Sequence, residues 1–524
     1  MGRALPGLLF AAATLVAAMA HAEPAEVASV GTTDAALAWR SDDPAPTRVV
    51  VRKADGDGAW RTVEAETGLS RFHVLELDGL EPGTRYEYRL GGEEDGPGGV
   101  LTTRTPPPGD RVGVLWVLAD IHLCAAEVQE CPDGIRRLGA ANGIYAAVLD
   151  EVRGRAAALP AELPQAVLIL GDLAQHPVPE TWRAVARSDT GDLPLCLIPG
   201  NHDGWDESWE TRWAETTAAL DDPACRYDGA RGELELGPWR VVLLSTVVAG
   251  ENRGELGDEQ RGWLEGRLAA GPERPTLLAL HHPWLPHPLA PLLGEASAYL
   301  CIRDAAPLEE LFGRHPQVHA VLSGHLHVNW TGKRGTVVQH VFSATSQFPV
   351  GYHSLTLHEG GLVRRFHPLR AGAEESAASG AALKAWAADR GLPLPWAVTG
   401  VVAGDLAARA DVQLLSDART TPEASGPGSA TSDAPERADG GQPVAAAASE
   451  RIVLQESAAP DAPAGEAARP ERTTGTRSGC RCALSAATGG RGALGTLFLL
   501  AVLARRRRSR PATCAEGPSP RRTA

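Results

Sequence analysis

Positive charge is in short supply in this 524-residue chain: 50 Lys and Arg stand against 65 Asp and Glu, a formal net charge of −15. Phosphate backbones and anionic membrane surfaces are held by clustered Lys and Arg, so this balance argues against nucleic acid as a partner. It weighs little against a small phosphate ester, because a bound metal supplies its own positive charge. Also missing is a Ser- or Cys-centred nucleophile motif, so no covalent intermediate is expected. Apolar runs of full spanning length are absent too: the two that stand out, Leu8 to Ala20 and Ala493 to Ala504, are both short.

What is present reads first as an exported, multi-domain chain. Arg3, the Leu8–Ala20 run and the A-x-A site Ala20-His21-Ala22 form a signal peptide over residues 1–22, with the mature chain beginning near Glu23. The length suits two to four domains, and 43% hydrophobic with 22% charged residues is a globular balance. Cys124, Cys131, Cys196, Cys225 and Cys301 lie in the central region. Outside the cytosol some of these are expected to pair, Cys124 with Cys131 most easily, although spacing leaves the connectivity open.

Residues 23–107 read as a small β-sandwich. Tyr86, Tyr88 and Leu90 alternate with Arg85, Glu87 and Arg89, the period-two pattern of a half-buried strand, and further strands are expected around Leu37–Trp39, Val49–Val51 and Val100–Thr103. Leu80-Glu81-Pro82-Gly83-Thr84-Arg85-Tyr86 resembles a tyrosine corner, in which a hydroxyl ties a strand to the preceding turn. The segment resembles the fibronectin type III-like module that precedes the catalytic domain of purple acid phosphatases, and a spacer role is expected for it. Thr105 to Gly109 is a stiff linker.

Residues 110–370 alternate apolar strands (Gly113–Ala119, Ala166–Leu170, Pro194–Pro199, Trp239–Thr246, Thr276–Leu280, Val318–Ser323) with helical patterns. One helix carries Ile144, Val148 and Val152 on one face, and another runs from Asp258 to Leu268. Residues 371–414 are expected to be a helical extension. The segment 415–478, rich in Ala, Ser, Pro, Thr and Gly, has too little apolar surface to offset chain entropy and is expected to be a disordered linker. In residues 479–524, Cys480-Arg481-Cys482, the apolar run and Arg505 to Arg508 resemble a myxobacterial C-terminal sorting signal. That resemblance implies a short transmembrane helix with a basic cytoplasmic end, processing by a sorting protease, and placement at the cell surface, outer membrane or periplasm.

Five short polar pieces follow predicted strands: Asp120-Ile121-His122, Gly171-Asp172, Gly200-Asn201-His202-Asp203, His281-His282-Pro283 and Gly324-His325-Leu326-His327. Carboxylate, amide and imidazole are the ligands that divalent metals accept at oxygen and nitrogen sites. Residues two apart at a strand end share a face, so Asp-x-His can point both ligands at one ion. Any one piece alone would be weak, since a lone His after a strand is more often a hydrogen-bonded structural residue.

Together, in this order, they resemble the calcineurin-like metallophosphoesterases, whose signature runs D-x-H, G-D, G-N-H-D, H and G-H-x-H. Gly254-Glu255-Leu256 with Gln260 and Trp263-Leu264 is similar to the cyclic-nucleotide phosphodiesterase branch. The resemblance implies an α/β fold, a four-layer α/β/β/α sandwich. It implies two divalent metal ions (Mn, Fe or Zn), one held by Asp120, His122, Asp172 and His327, the other by Asp172, Asn201, His281 and His325, with Asp172 bridging. His281 is preferred to His282 from the H-x-P match. His202 would contact phosphate, with Asp203 orienting it. Gln175 stands where purple acid phosphatases carry an iron-binding tyrosine, so a ferric tyrosinate centre is not expected.

The activity implied is hydrolysis of phosphomonoesters or phosphodiesters by a metal-bridging hydroxide. The alternatives are a non-catalytic cell-surface binding or adhesion protein with this fold, or a narrow extracellular nucleotidase. The sequence leaves the substrate and the oligomeric state open. His282, Trp284, His287 and Trp330 are candidates to wall a substrate pocket. His176, His287, His315, His319 and His340 otherwise read as surface or hydrogen-bonded residues.

Overall fold

The computed structural model of the protein describes residues 26–415 apart from 57, 67, 125–137, 177, 221–223, 289–298 and 390–397. The expected signal peptide, Cys131, the 416–478 linker and the C-terminal segment lie outside the described residues. Among the described residues no helix is long and apolar enough to cross a membrane.

Seven strands come first: β1 (Glu26–Val30), β2 (Asp34–Ala45), β3 (Arg48–Lys53), β4 (Arg61–Glu64), β5 (Ser70–Asp78), β6 (Arg85–Leu90) and β7 (Gly98–Thr102). They make two antiparallel sheets, β1-β2-β5 and β4-β3-β6-β7. The inward residues of both, among them Leu37, Val49, Val51, Leu75, Leu77, Tyr86 and Tyr88, form one core. Alternation along each strand puts these residues on one face, and burying each large apolar side chain contributes about 1.5–3 kcal/mol. Tyr86 closes the corner its spacing implied, its hydroxyl accepting the Glu81 backbone N–H at 2.8 Å.

The larger part is built on two facing sheets. A six-stranded sheet contains β8 (Arg111–Leu118), β9 (Gln165–Leu170), β10 (Leu195–Ile198), β18 (Gly351–His358), β19 (Gly361–Pro368) and β20 (Ala410–Leu414), in the order β10-β9-β8-β18-β19-β20. A seven-stranded sheet contains β11 (Cys225–Asp228), β12 (Arg231–Leu236), β13 (Trp239–Leu243), β14 (Thr276–Ala279), β15 (Val318–Ser323), β16 (Trp330–Arg334) and β17 (Val337–Val341), in the order β11-β12-β13-β14-β15-β17-β16. The inward faces share one core, with Leu115, Val117, Leu168, Leu170, Val241, Leu277 and Leu322 fully buried. Helices α1 (Leu138–Ala157), α2 (Pro179–Ala186) and α3 (Trp209–Ala218) cover the outer face of the first sheet, and α4 (Asp258–Ala269) and α5 (Ala305–Arg314) cover that of the second. This is the α/β/β/α sandwich. Strands buried on both sides read as continuous apolar runs, which is why the central strands are where the sequence put them.

One feature differs from expectation. The 371–414 extension is not only helical: after α6 (Ala373–Asp389), α7 (Val398–Ala403) and α8 (Leu406–Arg409), the chain returns as β20 and pairs antiparallel with β19, Gly361 opposite Leu414 and Arg365 opposite Ala410. Without β20 the β19 backbone would present an open edge. The N-terminal module, read as a spacer on a stiff linker, is in addition fixed to the sandwich by ion pairs. Arg365 of β19 pairs with Asp34 and Glu76, Arg155 of α1 reaches Glu76 at 3.0 Å, and Arg409 reaches Glu26 at 2.6 Å. A cleft of about 930 Å³ remains between the module, α1 and the outer face of β18 and β19.

Disulfide pairing takes a form the sequence left open. Cys196 of β10 and Cys225 of β11 are bonded, Cα–Cα 5.6 Å, which staples the edges of the two sheets across their shared core. Cys124 is also disulfide-bonded, and Cys301 is a free thiol that burial pushes up in pKa.

Candidate metal centre

Strands β8, β9, β10, β14 and β15 end at one edge of the sandwich, and each hands its following residues to the same buried place. The local backbone is unusual. Among the described residues, five non-glycine residues have positive φ: Asp120 (49°), His122 (45°), Asp172 (50°), His325 (66°) and His327 (54°). All five are residues the motifs single out. The left-handed region costs an ordinary residue about 1–2 kcal/mol, so strain is concentrated at this point and must be held by its surroundings. The glycines between them allow the close approach: a Cβ on Gly200 would collide with the Asp172 amide and carboxylate, and one on Gly324 with the Asp120 carboxylate.

The side chains converge as two overlapping groups. Asp120, His122, Asp172 and His327 are all buried, with ligand atoms within 4.8 Å of one another. His122 Nε2 lies 3.1 Å from His327 Nε2, His327 Nε2 lies 3.2 Å from Asp120 Oδ1, and His122 Nε2 lies 3.7 Å from Asp172 Oδ2. The other oxygen of Asp172 faces the second group, 3.4 Å from His281 Nε2. Asn201 Oδ1 completes that group at 3.1 Å from His281 Nε2 and 3.0 Å from His325 Nδ1.

The protonation pattern shows what such a place holds. His281 Nδ1–H donates to the Leu170 carbonyl at 2.7 Å, and His325 Nε2–H donates to the Tyr299 carbonyl at 2.7 Å. The other nitrogen of each ring faces oxygen acceptors, toward which a neutral ring would turn a lone pair. Acceptors facing acceptors are mismatched unless a cation lies between them, and divalent ions with ligand arms of about 2.0–2.2 Å space their ligand atoms at roughly these separations. The residues fit a divalent metal site. The place attracts positive charge: burial opposes a charged His281, yet the Asp172 carboxylate beside it raises its pKa to about 9. Burial likewise opposes ionisation of Asp172, but His281 and His202 hold it well below the usual carboxylate range.

His282 behaves differently from His281. Its Nδ1 meets Thr246 Oγ1 at 2.8 Å and its Nε2 the Asn252 carbonyl at 3.2 Å, so both nitrogens are engaged by protein, in keeping with the choice of His281. Trp284 is no pocket wall; it is buried in the outer core against Phe312, ring centroids 5.0 Å apart. His287 packs on Trp330 at 5.1 Å. His319 and His340 are buried rather than superficial, the first against Trp239 and the second bonded to Gln413.

One expectation is corrected. The hydrogen bond from Asp203 to His202 is not among the described contacts; His202 Nδ1 instead donates to the Gln175 carbonyl at 2.9 Å. The Asp203 carboxylate accepts the backbone N–H groups of Gly200, Leu173 and Ala174 at 2.9, 3.1 and 3.2 Å, tying the β9 and β10 loops together. Burial, and then the charge of Asp172, push its pKa up to about 7. Asp203 sits beneath the site, not in it. Sequence reasoning missed Gln347, whose Oε1 lies 3.1 Å from His327 Nδ1, and the backbone carbonyls of Leu170, Gln175 and Tyr299. A backbone acceptor leaves no side-chain signature, and Gln347 belongs to no strand-end motif.

Comparison with known proteins agrees with this geometry. The profile of the family described as calcineurin-like phosphoesterase matches residues 113–329. The 3',5'-cyclic adenosine monophosphate phosphodiesterase CpdA of Escherichia coli (strain K12) is 31% identical over 223 residues, 39% of this chain and 74% of the relative. This chain belongs to the calcineurin-like phosphoesterases. Another member of similar sequence is the glycerophosphodiester phosphodiesterase GpdQ of Enterobacter lignolyticus (strain SCF1), 31% identical over 174 residues, 32% of this chain and 57% of the relative. Among solved structures, that of PhoD aligns with 66% of this chain and 86% of its own at 14% identity and a TM-score of 0.35. The phosphoesterase profile spans every one of the five convergent pieces and stops short of both the N-terminal module and β20.

Proposed function

We propose that the protein is an exported phosphoesterase that hydrolyses phosphodiesters at a two-metal centre. The observation that carries this is Asp172, whose two carboxylate oxygens face different imidazole groups, Oδ1 toward His281 and Oδ2 toward His122. A carboxylate in that position is the natural bridge between two cations. Asp120, His122 and His327 would hold one ion with it, and Asn201, His281 and His325 the other. Two divalent ions held there would supply a water of lowered pKa and positive charge for a phosphoryl group. The rest is the work of the chain. His202, oriented by the Gln175 carbonyl and edge-on to His122 at 4.8 Å, stabilises negative charge on the phosphoryl oxygens or gives a proton to the leaving oxygen. Buried walls exclude bulk water, which strengthens each of these interactions. Diesters are preferred to monoesters because the named relatives are phosphodiesterases.

Export is supported by the Cys196–Cys225 pair, since structural disulfides persist in oxidising compartments. Anchoring through residues 479–524, after processing by a sorting protease, follows from the sequence pattern there. The test is direct. The full chain, supplied with Mn²⁺, is assayed on bis-p-nitrophenyl phosphate, p-nitrophenyl phosphate and cyclic AMP, before and after chelation. Diester hydrolysis that chelation removes and Mn²⁺ restores is expected. Metal-loaded protein inert toward all three esters would end the enzymatic reading in favour of a binding protein.

A further inference from the structure

Arg364 of β19 is fully buried between the two sheets. Among the described residues no carboxylate pairs with its guanidinium. Nη2 donates to the Val341 carbonyl at 2.7 Å and to Asn329 Oδ1 at 3.1 Å, and Nη1 donates to Thr331 Oγ1 at 3.2 Å and the Trp330 carbonyl at 3.3 Å. The Phe342 ring lies under the guanidinium, 4.5 Å from its centre. Burial lowers the arginine to about 9, so it stays charged at neutral pH. A buried charge held only by neutral acceptors is an expensive arrangement, and an apolar residue of similar volume would often stabilise a core at such a position.

The use of this arginine lies at Asn329. That residue ends the Gly324–Asn329 loop, which carries His325 and His327, both in the left-handed region. The upstream end of the loop is secured by β15 and by the Asp120 carboxylate, which accepts the His325 N–H at 2.9 Å. The downstream end runs into β16, an edge strand paired with β17 alone. An edge strand is a poor anchor for a strained loop. The anchor comes from the opposite sheet: Asn329 Oδ1 accepts from Arg364 of β19 and from His353 Nε2 of β18 at 2.8 Å, while its Nδ2 donates to Ser343 Oγ at 3.2 Å.

We propose that Arg364 is a positioning residue for the metal centre, acting through Asn329 to hold the loop that presents His325 and His327. The proposal rests on the metal reading of that centre. The two sheets are thereby pinned by hydrogen bonds at the point where two ligands must stay fixed. The arginine suits the task because its planar fork reaches Asn329 and Val341 from one nitrogen and Trp330 and Thr331 from the other.

The experiment is a Mn²⁺ titration of the full chain, followed by calorimetry and by the electron paramagnetic resonance of the bound ion, with thermal melts alongside. Arg364→Met keeps the volume and removes the fork. Mn²⁺ affinity is expected to fall roughly 10–100-fold, as for other losses of support behind ligands, with kcat reduced and KM little changed. Cys225→Ser, which weakens the sheet edges away from the loop, serves as the stability control and keeps wild-type Mn²⁺ affinity. Wild-type affinity and resonance in Arg364→Met would overturn the proposal. If Arg364→Met does not fold, Asn329→Ala is read in its place; loss of affinity there supports the link and unchanged affinity overturns it. A wild-type chain that takes up no Mn²⁺ would defeat the metal reading itself, a result distinct from two proteins that bind equally well.

Discussion

Asp172 is the residue on which the chemistry turns. Asp172→Asn keeps the shape and the oxygen that accepts the His202 backbone N–H at 2.9 Å, but it removes the charge that two cations would share. Turnover is expected to fall at least ~100-fold, beyond what loss of a supporting group costs, while the circular dichroism and melting curve stay close to wild type. Persistent activity in that variant would remove the bridging role. Asp203 makes a contrasting case. In Asp203→Asn an NH₂ group would be turned toward backbone N–H donors, leaving at least one buried donor unsatisfied at about 1–3 kcal/mol. Urea denaturation should register that loss, whereas the pH profile of the remaining activity should not move, since His202 is held by Gln175. The identity of the acidic and imidazole groups was legible in the sequence, because each follows an apolar strand, and Asp172, Asn201 and His325 directly follow a glycine as well. The role of Asp203 was not, because its partners are backbone amides and any sequence would supply those.

At the scale of elements, strands with an unbroken apolar run or a clean alternation, such as β6, were readable, and strands whose buried faces carry polar residues, such as β18 and β19, were not. Ala166–Leu170 falls within β9 as expected from its unbroken apolar run. By contrast β16 is Trp-Thr-Gly-Lys-Arg, and β20 follows three helices, so neither carries a pattern that distinguishes it from loop. The pairing of Cys196 with Cys225 was equally hidden, since it depends on two sheet edges meeting in space. Its closed segment of 29 residues predicts a contribution to stability of about 2–4 kcal/mol. Cys225→Ser should lower the urea midpoint accordingly, and the wild type under reducing conditions should approach the variant. Equal midpoints in all three would show that the staple contributes nothing to the folded state.

For the whole molecule, the joint between the N-terminal module and the phosphoesterase sandwich is the feature that composition does not disclose. Glu76 is buried between Arg365 and Arg155. Burial disfavours its charge, but Arg365, His367 and Arg155 together outweigh it and hold the carboxyl far below the usual glutamate range. A depressed carboxyl pKa contributes stability that is complete above the unfolded value and lost only as pH falls toward the folded one. The joint should therefore survive mild acid. Glu76→Ala leaves Arg365 with Asp34 and Arg155 with Glu151 as remaining partners and should cost about 1.5–3 kcal/mol, seen as a lower melting point and as faster proteolysis within Thr105–Gly109. An unaltered melt and cleavage pattern would return the module to the status of a passive spacer.

Neighbouring residues of β19 serve opposite sides of the protein. Arg364 turns inward to the Gly324–Asn329 loop and Arg365 turns outward to Asp34 and Glu76. Because side chains alternate along a strand, a slip of one residue would exchange the two guanidinium groups. The segment that fixes this register on one side is β20, the last in chain order of the described strands. Until Leu414 has been laid down, neither the loop nor the module has its final partner, so a misregistered product would lose catalysis and module docking together.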